Sequence, residues 1–123
     1  MKFRVWDKEQ YKYLDKHNVH HLENNDGVFS IVLNMDIQKI SGKDRFEIEW
    51  STGLLDDNGK EIYVGDIIKI FEDGVDTTLV ERVKYLVDAG AFDICSWKIS
   101  EKILNKIYTF KVIGNINENP ELL

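Results

Sequence analysis

Cysteine and proline are almost missing from this 123-residue chain: Cys95 and Pro120 each stand alone. A single thiol excludes an intramolecular disulfide and points to a reducing compartment, so a cytoplasmic location is expected. No apolar run approaches the roughly 18 residues of a membrane-spanning helix. Met1-Lys2-Phe3 leads straight into strand-like sequence, so neither a membrane span nor a signal peptide is expected. There is no glycine-rich phosphate loop and no Gly-x-Ser-x-Gly turn, which removes the commonest sequence marks of nucleotide and acyl-transfer chemistry. Positive charge is also short. Residues 51–97 carry 4 basic and 10 acidic side chains, a net −6, which would repel phosphate there.

What the chain does have is apolar content for a core, 43% hydrophobic with 11% aromatic, and short alternating segments. Phe3 and Val5 alternate with Arg4 and Trp6. Phe46, Ile48 and Trp50 alternate with Arg45, Glu47 and Glu49, a pattern that a helix would scatter around its circumference. Strands are also expected at 28–33, at 67–71, over 79–87 as one long strand, at 92–97 and at 108–116. The polar residues 15–27 read as a loop with room for one short strand. Ile99, Ile103 and Ile107 recur at helical spacing, so 99–107 is the one helix candidate. Pro120 closes the sequence in an expected extended tail. Trp6, on the face opposite Phe3 and Val5, needs a burial partner from the other half of the chain or from another subunit.

The most informative stretch runs from Ser51 to Ile70. Asn58-Gly59 predicts a tight type I′ hairpin turn, because both residues tolerate positive φ. Gly65-Asp66 predicts a second break, with Asp66 bonding the backbone a residue or two onward. Turn signals about every ten residues, between many short strands, predict a mainly β protein built as a small barrel or sandwich. A division falls near Trp50, separating a β-rich region 1–50 from a region 51–123.

Three blocks resemble the YopX-like proteins of phages and prophages. They are Lys2-Phe3-Arg4-Val5-Trp6-Asp7, then Thr52-Gly53-Leu54 through Asp57-Asn58-Gly59-Lys60-Glu61-Ile62-Tyr63 to Gly65-Asp66-Ile67, and finally Val112-Ile113-Gly114-Asn115-Ile116 with Glu118-Asn119-Pro120-Glu121-Leu122. The resemblance implies a C-terminal SH3-like barrel, with at most one short helix in the chain, and an origin in a phage or prophage of a low-GC Gram-positive host. It implies no activity and no catalytic residues.

Several groups invite a chemical reading. Asp56, Asp57, Glu61 and Asp66 are dense enough to suggest a hard-cation site, but their spacing is not that of a calcium loop. Gly53, Asp57, Asn58, Gly59, Gly65 and Asp66 are instead what sharp turns require, and a structural role is expected for them. His17, His20 and His21 lack the companions of a tetrahedral metal set. Cys95 sits among apolar neighbours without a cation to activate it. Neither a cofactor nor a metal is expected. Trp97, Lys98, Lys102, Lys106, Tyr108 and Lys111 form the one basic cluster mixed with aromatics, and support an alternative reading as a small nucleic-acid-binding or regulatory module. The leading expectation is a non-catalytic accessory protein that binds a host or phage protein, or further copies of itself, and no membrane.

Overall fold

The computed structural model describes residues 2–15, 19–23, 29–33, 36–40, 45–86, 91–93 and 107–123. Twelve strands lie among them, and the helical content is one 3-10 turn at Pro120–Leu122, so the protein is mainly β. The expected helix falls almost wholly on 99–106, outside the described residues, as do Ile94 to Trp97 of an expected strand. Backbone contacts divide the chain into two compact units, Met1–Trp50 and Ser51–Leu123.

In the first unit, β1 (Phe3–Asp7) turns back into the short β2 (Lys12–Tyr13) and pairs on its other side with the start of β6 (Phe46–Leu55). A separate meander joins β3 (Val19–Glu23), β4 (Phe29–Leu33) and β5 (Asp36–Ile40), all antiparallel. The alternation read from sequence decides the faces of the first sheet. Val5 and Phe46 are buried, with Phe3, Leu14 and Ile48 packed against them. On the opposite face Trp6 is 3% exposed. Its cover comes from its own hairpin: the rings of Tyr11 and Tyr13 meet it edge-on at 5.1 and 4.8 Å. The expectation of a distant partner is therefore corrected. A turn that holds Tyr11 at a φ of 59° brings the first of these rings within reach of Trp6, which a strand would not.

In the second unit, β12 (Tyr108–Asn115), β8 (Asp66–Glu72) and β9 (Val75–Arg82) form a three-stranded antiparallel sheet in that order. The end of β6 pairs with β7 (Glu61–Tyr63), and β10 (Lys84–Leu86) pairs with β11 (Ala91–Asp93). Among the described residues these pairings do not close into a ring, so the architecture on view is open sheets. Ile62, Ile68, Ile70 and Val83, all fully buried, make the core, with Leu79, Tyr108, Phe110 and Val112 against them. Two sequence expectations change here. The long strand over 79–87 is broken at Val83, whose N–H donates to the Asp66 carbonyl while its own carbonyl accepts from Gly65 N–H. The tail is not extended: Asn115 Oδ1 accepts from the N–H groups of Asn117 and Glu118, and the chain curls into the 3-10 turn. That curl lies so close to Gly114 that a Cβ there would meet Asn119 Oδ1 at 2.7 Å.

The core isoleucines Ile62 and Ile70 share one local device. Opposite Ile62, the partner strand carries Thr52, Gly53 and Leu54 where one residue would suffice; opposite Ile70, it carries Thr77, Thr78 and Leu79. In each bulge the threonine hydroxyl donates to the isoleucine carbonyl at 2.7 Å. In each, the preceding polar side chain (Ser51 Oγ or Asp76 Oδ1) accepts from the N–H two residues on. In each, the residue after the threonine has positive φ, 79° at Gly53 and 64° at Thr78. Glycine takes that conformation freely, whereas a β-branched residue is strained by about 1–2 kcal/mol. Thr78→Gly is therefore expected to raise stability by roughly 0.5–1 kcal/mol, after the greater entropy of unfolded glycine is subtracted. Thermal melts of Thr78→Gly beside Gly53→Thr, which should lose stability, check this. A lower melting temperature for Thr78→Gly would refute it.

Candidate functional site

The densest group of ionisable side chains sits at the β6–β7 turn and just beyond it. Asp56, 7% exposed, begins the turn, and its carbonyl accepts from Gly59 N–H at 3.0 Å. Gly59 has a φ of 79°, while Asn58 lies outside the positive region. The turn is thus not the two-residue type I′ form expected from Asn-Gly. It is a longer loop in which Asp57 and Asn58 occupy the middle and glycine alone takes the left-handed position, a geometry that also fits the twist of a hairpin.

The Asp56 carboxylate organises the loop. Oδ1 accepts from the N–H groups of Asn58 and Lys60 at 2.9 and 2.8 Å, and Oδ2 accepts from Val112 N–H at 3.1 Å. Asp57 N–H donates to the Phe110 carbonyl at 2.8 Å. Two successive residues therefore cap alternate positions of β12, satisfying backbone groups on the edge of that strand that does not face β8. Burial pushes the Asp56 carboxyl upward. The N–H donors of Val112, Lys60 and Asn58 outweigh it and leave the group below its ordinary 3.8.

The other acids are held in the same way. Asp66, 1% exposed, reaches back to accept from Tyr63 N–H at 2.8 Å, three residues earlier, where the expectation was a bond onward. The intervening Gly65 has a φ of 94°. Glu61 accepts from Ser51 Oγ at 2.7 Å and from the Tyr63 hydroxyl at 3.2 Å. Asp57 itself is exposed. No cluster of three or more His, Cys, Asp or Glu that could hold a metal occurs among the described residues. The Asp56 contacts are N–H donors, whose positive ends stand where a cation would have to approach.

Of the basic and aromatic cluster, Trp97, Lys98, Lys102 and Lys106 lie outside the described residues, as do Cys95 and His17. Lys111 is exposed on β12, while Tyr108 packs against the isoleucine core. The Tyr108 hydroxyl is buried and has no hydrogen-bond partner among the described residues. Tyr108→Phe is therefore expected to be neutral or stabilising by up to about 1 kcal/mol, since it removes a desolvated group that gains nothing in return. A clear loss of stability in a denaturant titration would show that the hydroxyl has a partner. His20 and His21 occupy adjacent positions of β3.

The first unit repeats the theme with residues that sequence reasoning did not single out. Asp7, 1% exposed, accepts from Arg45 Nε and Nη2 at 2.8 Å each, and its Oδ1 also accepts from the N–H groups of Glu9 and Gln10. The paired Arg45 guanidinium outweighs the effect of burial and holds the Asp7 carboxyl at about 2. Glu49, 5% exposed, accepts from Arg4 Nε and from the Tyr13 hydroxyl at 2.8 Å each, and the Arg4 guanidinium lies 4.5 Å from the Tyr13 ring centre. The available signal was an acid placed at the end of a strand just before a turn. Its partner Arg45, 38 positions away, left no local trace.

Fold and site together define a class: a mainly β protein whose buried carboxylates tie turns to strands. The model of the YopX protein family matches residues 2–123, and the chain belongs to that family. Protein EF1440 from Enterococcus faecalis, solved by crystallography, is similar at 28% identity with a TM-score of 0.64, over 99% of this chain and 96% of that one. The yopX protein of Bacillus subtilis is similar at 23% identity with a TM-score of 0.61, over 98% and 96%, and at that identity shows the shared fold alone. No curated protein matches the chain. Among the described residues no helix is long and apolar enough to cross a membrane.

Proposed function

We propose that this chain is a phage or prophage accessory protein of the host cytoplasm that acts by binding another macromolecule, with no catalysis of its own. Its C-terminal unit serves as an SH3-like scaffold for that contact. The observation that supports this reading is the employment of the acids. Asp56, Glu61 and Asp66 spend their oxygens on protein N–H and hydroxyl donors, an arrangement suited to fixing a surface. On the same unit Leu54 and Leu55, next to the Asp56 turn, are 49% and 63% exposed. Neighbouring apolar side chains held at the end of a rigid hairpin suit a protein contact. Affinity capture from prophage-induced cells, followed by mass spectrometry, tests the proposal with wild type and a Leu54→Asp/Leu55→Asp variant. A stoichiometric partner retained by wild type and lost from the equally stable variant is expected. Equal capture by both would remove this surface from the reading. Light scattering of the purified protein separates self-association from binding to a different chain.

A further inference from the structure

Asn58-Gly59 is the single Asn-Gly pair in the chain. That dipeptide has a chemistry of its own, because glycine's missing side chain lets its backbone nitrogen approach the neighbouring amide. The Gly59 nitrogen, on losing its proton to base, attacks Asn58 Cγ. A C–N bond forms, the Cγ–Nδ2 bond breaks and ammonia leaves. Water then opens the five-membered imide at either carbonyl, to give aspartate or isoaspartate. No oxidant or cofactor enters; water is consumed and ammonia released.

Asn58 and Gly59 are both exposed, and nothing lies within 4 Å of where a Gly59 Cβ would stand, so bulk does not bar the reaction. The hydrogen bonds do. The Gly59 N–H that must lose its proton already donates to the Asp56 carbonyl at 3.0 Å. The N–H groups on either side of it, of Asn58 and Lys60, both donate to Asp56 Oδ1. Negative charge developing on the Gly59 nitrogen would therefore arise beside an ionised carboxylate, which disfavours it. The same contacts oppose the backbone rotation that ring closure needs.

We propose that Asn58 is a latent deamidation site restrained by the Asp56 carboxylate, and that its conversion to isoaspartate frees the turn from β12. Isoaspartate routes the main chain through the side-chain carbon and adds one backbone atom between positions 58 and 59. Asp56 Oδ1 cannot then span Asn58 and Lys60 as it does now. The paired contacts at Phe110 and Val112, made by the same turn, are weakened with it.

The test incubates the full-length protein in mildly alkaline buffer, folded and in concentrated urea, and follows the amide-to-acid mass gain at Asn58 by peptide mapping. The other asparagines, none followed by glycine, are the internal controls. Deamidation at Asn58 is expected to be at least about tenfold slower in the folded protein, the protection that hydrogen-bonded local structure confers. Asp56→Asn should lose most of that protection, and the isolated isoaspartate form should melt at a lower temperature than the parent. Equal rates in the folded and urea-treated chain would overturn the proposal, and that comparison needs no variant to fold. A slow rate retained in a folded Asp56→Asn would overturn the role of the carboxylate.

Discussion

Asp56→Ala is expected to lower stability by about 3 kcal/mol, on the order of 10 °C in melting temperature for a domain of this size. The carboxylate accepts three backbone N–H groups, and truncation leaves each without its acceptor. Asn58 and Lys60 lie in the exposed part of the loop, where water can replace the lost oxygen. Val112 is half-buried on β12, so its N–H bears most of the penalty. Asp56→Asn should not rescue: if its amide oxygen keeps the loop contacts, the amide nitrogen faces Val112 as donor against donor. The folded carboxyl sits below 3.8, so its contribution is present above that value and fades as pH falls through it. Circular dichroism melts of the three proteins at neutral pH and at pH about 3 check both parts. An unchanged melting temperature in Asp56→Ala would mean that the turn holds without its acid.

The second large effect belongs to Asp7. Removing one partner of a buried ion pair costs about 3–5 kcal/mol where the remaining charge stays buried. Here the remaining partner, Arg45, keeps 39% of its side chain exposed and can turn to water, so Asp7→Asn should cost less, about 2–3 kcal/mol. Arg45→Ala strands the acid instead, with only the Glu9 and Gln10 N–H groups to stabilise it. A loss of similar size is expected there. The pH dependence has a definite sign. The folded carboxyl is depressed to about 2 from 3.8, so its stabilisation is complete above pH 3.8 and is lost between 3.8 and about 2. The amount lost is about 1–2 kcal/mol once solvent screening is allowed for. The gap between wild type and Asp7→Asn should therefore narrow as pH drops through that window. A constant gap down to pH about 2 would show that the pair does not set the shift.

How far the sequence carries the reader differs between strands and turns. Alternation along 46–50 and 3–6 assigned faces correctly, because a strand's side chains point alternately to either side whatever surrounds it. Membership of the YopX family was also legible, in the blocks beginning Lys2, Thr52 and Val112. Turn chemistry was legible only in kind. Asp56 to Gly59 reads as a bend, yet the choice between a two-residue and a longer loop rested on Asp56 reaching Val112, a residue 56 positions away. Asp66 bonds backward because Gly65 N–H donates to the Val83 carbonyl and Val83 N–H to the Asp66 carbonyl, which holds the bend in place. The cover for Trp6 was misplaced because Tyr11 leaves the strand conformation.

Local stereochemistry alone thus determined that this is a strand-built chain, that bends fall at 56–59 and 65–66, and that Phe46, Ile48 and Trp50 share a face. Only the tertiary structure decided what Asp7 and Asp56 reach beyond their own turns, since Arg45 and Val112 are brought to them from 38 and 56 positions away. Arg45 meets Asp7 because β1 and β6 pair with Phe46 opposite Asp7, and Val112 meets Asp56 because the β6–β7 turn lies against the edge of β12. No spacing along the chain encodes such meetings, for they depend on closing loops of tens of residues before any contact can repay the entropy lost.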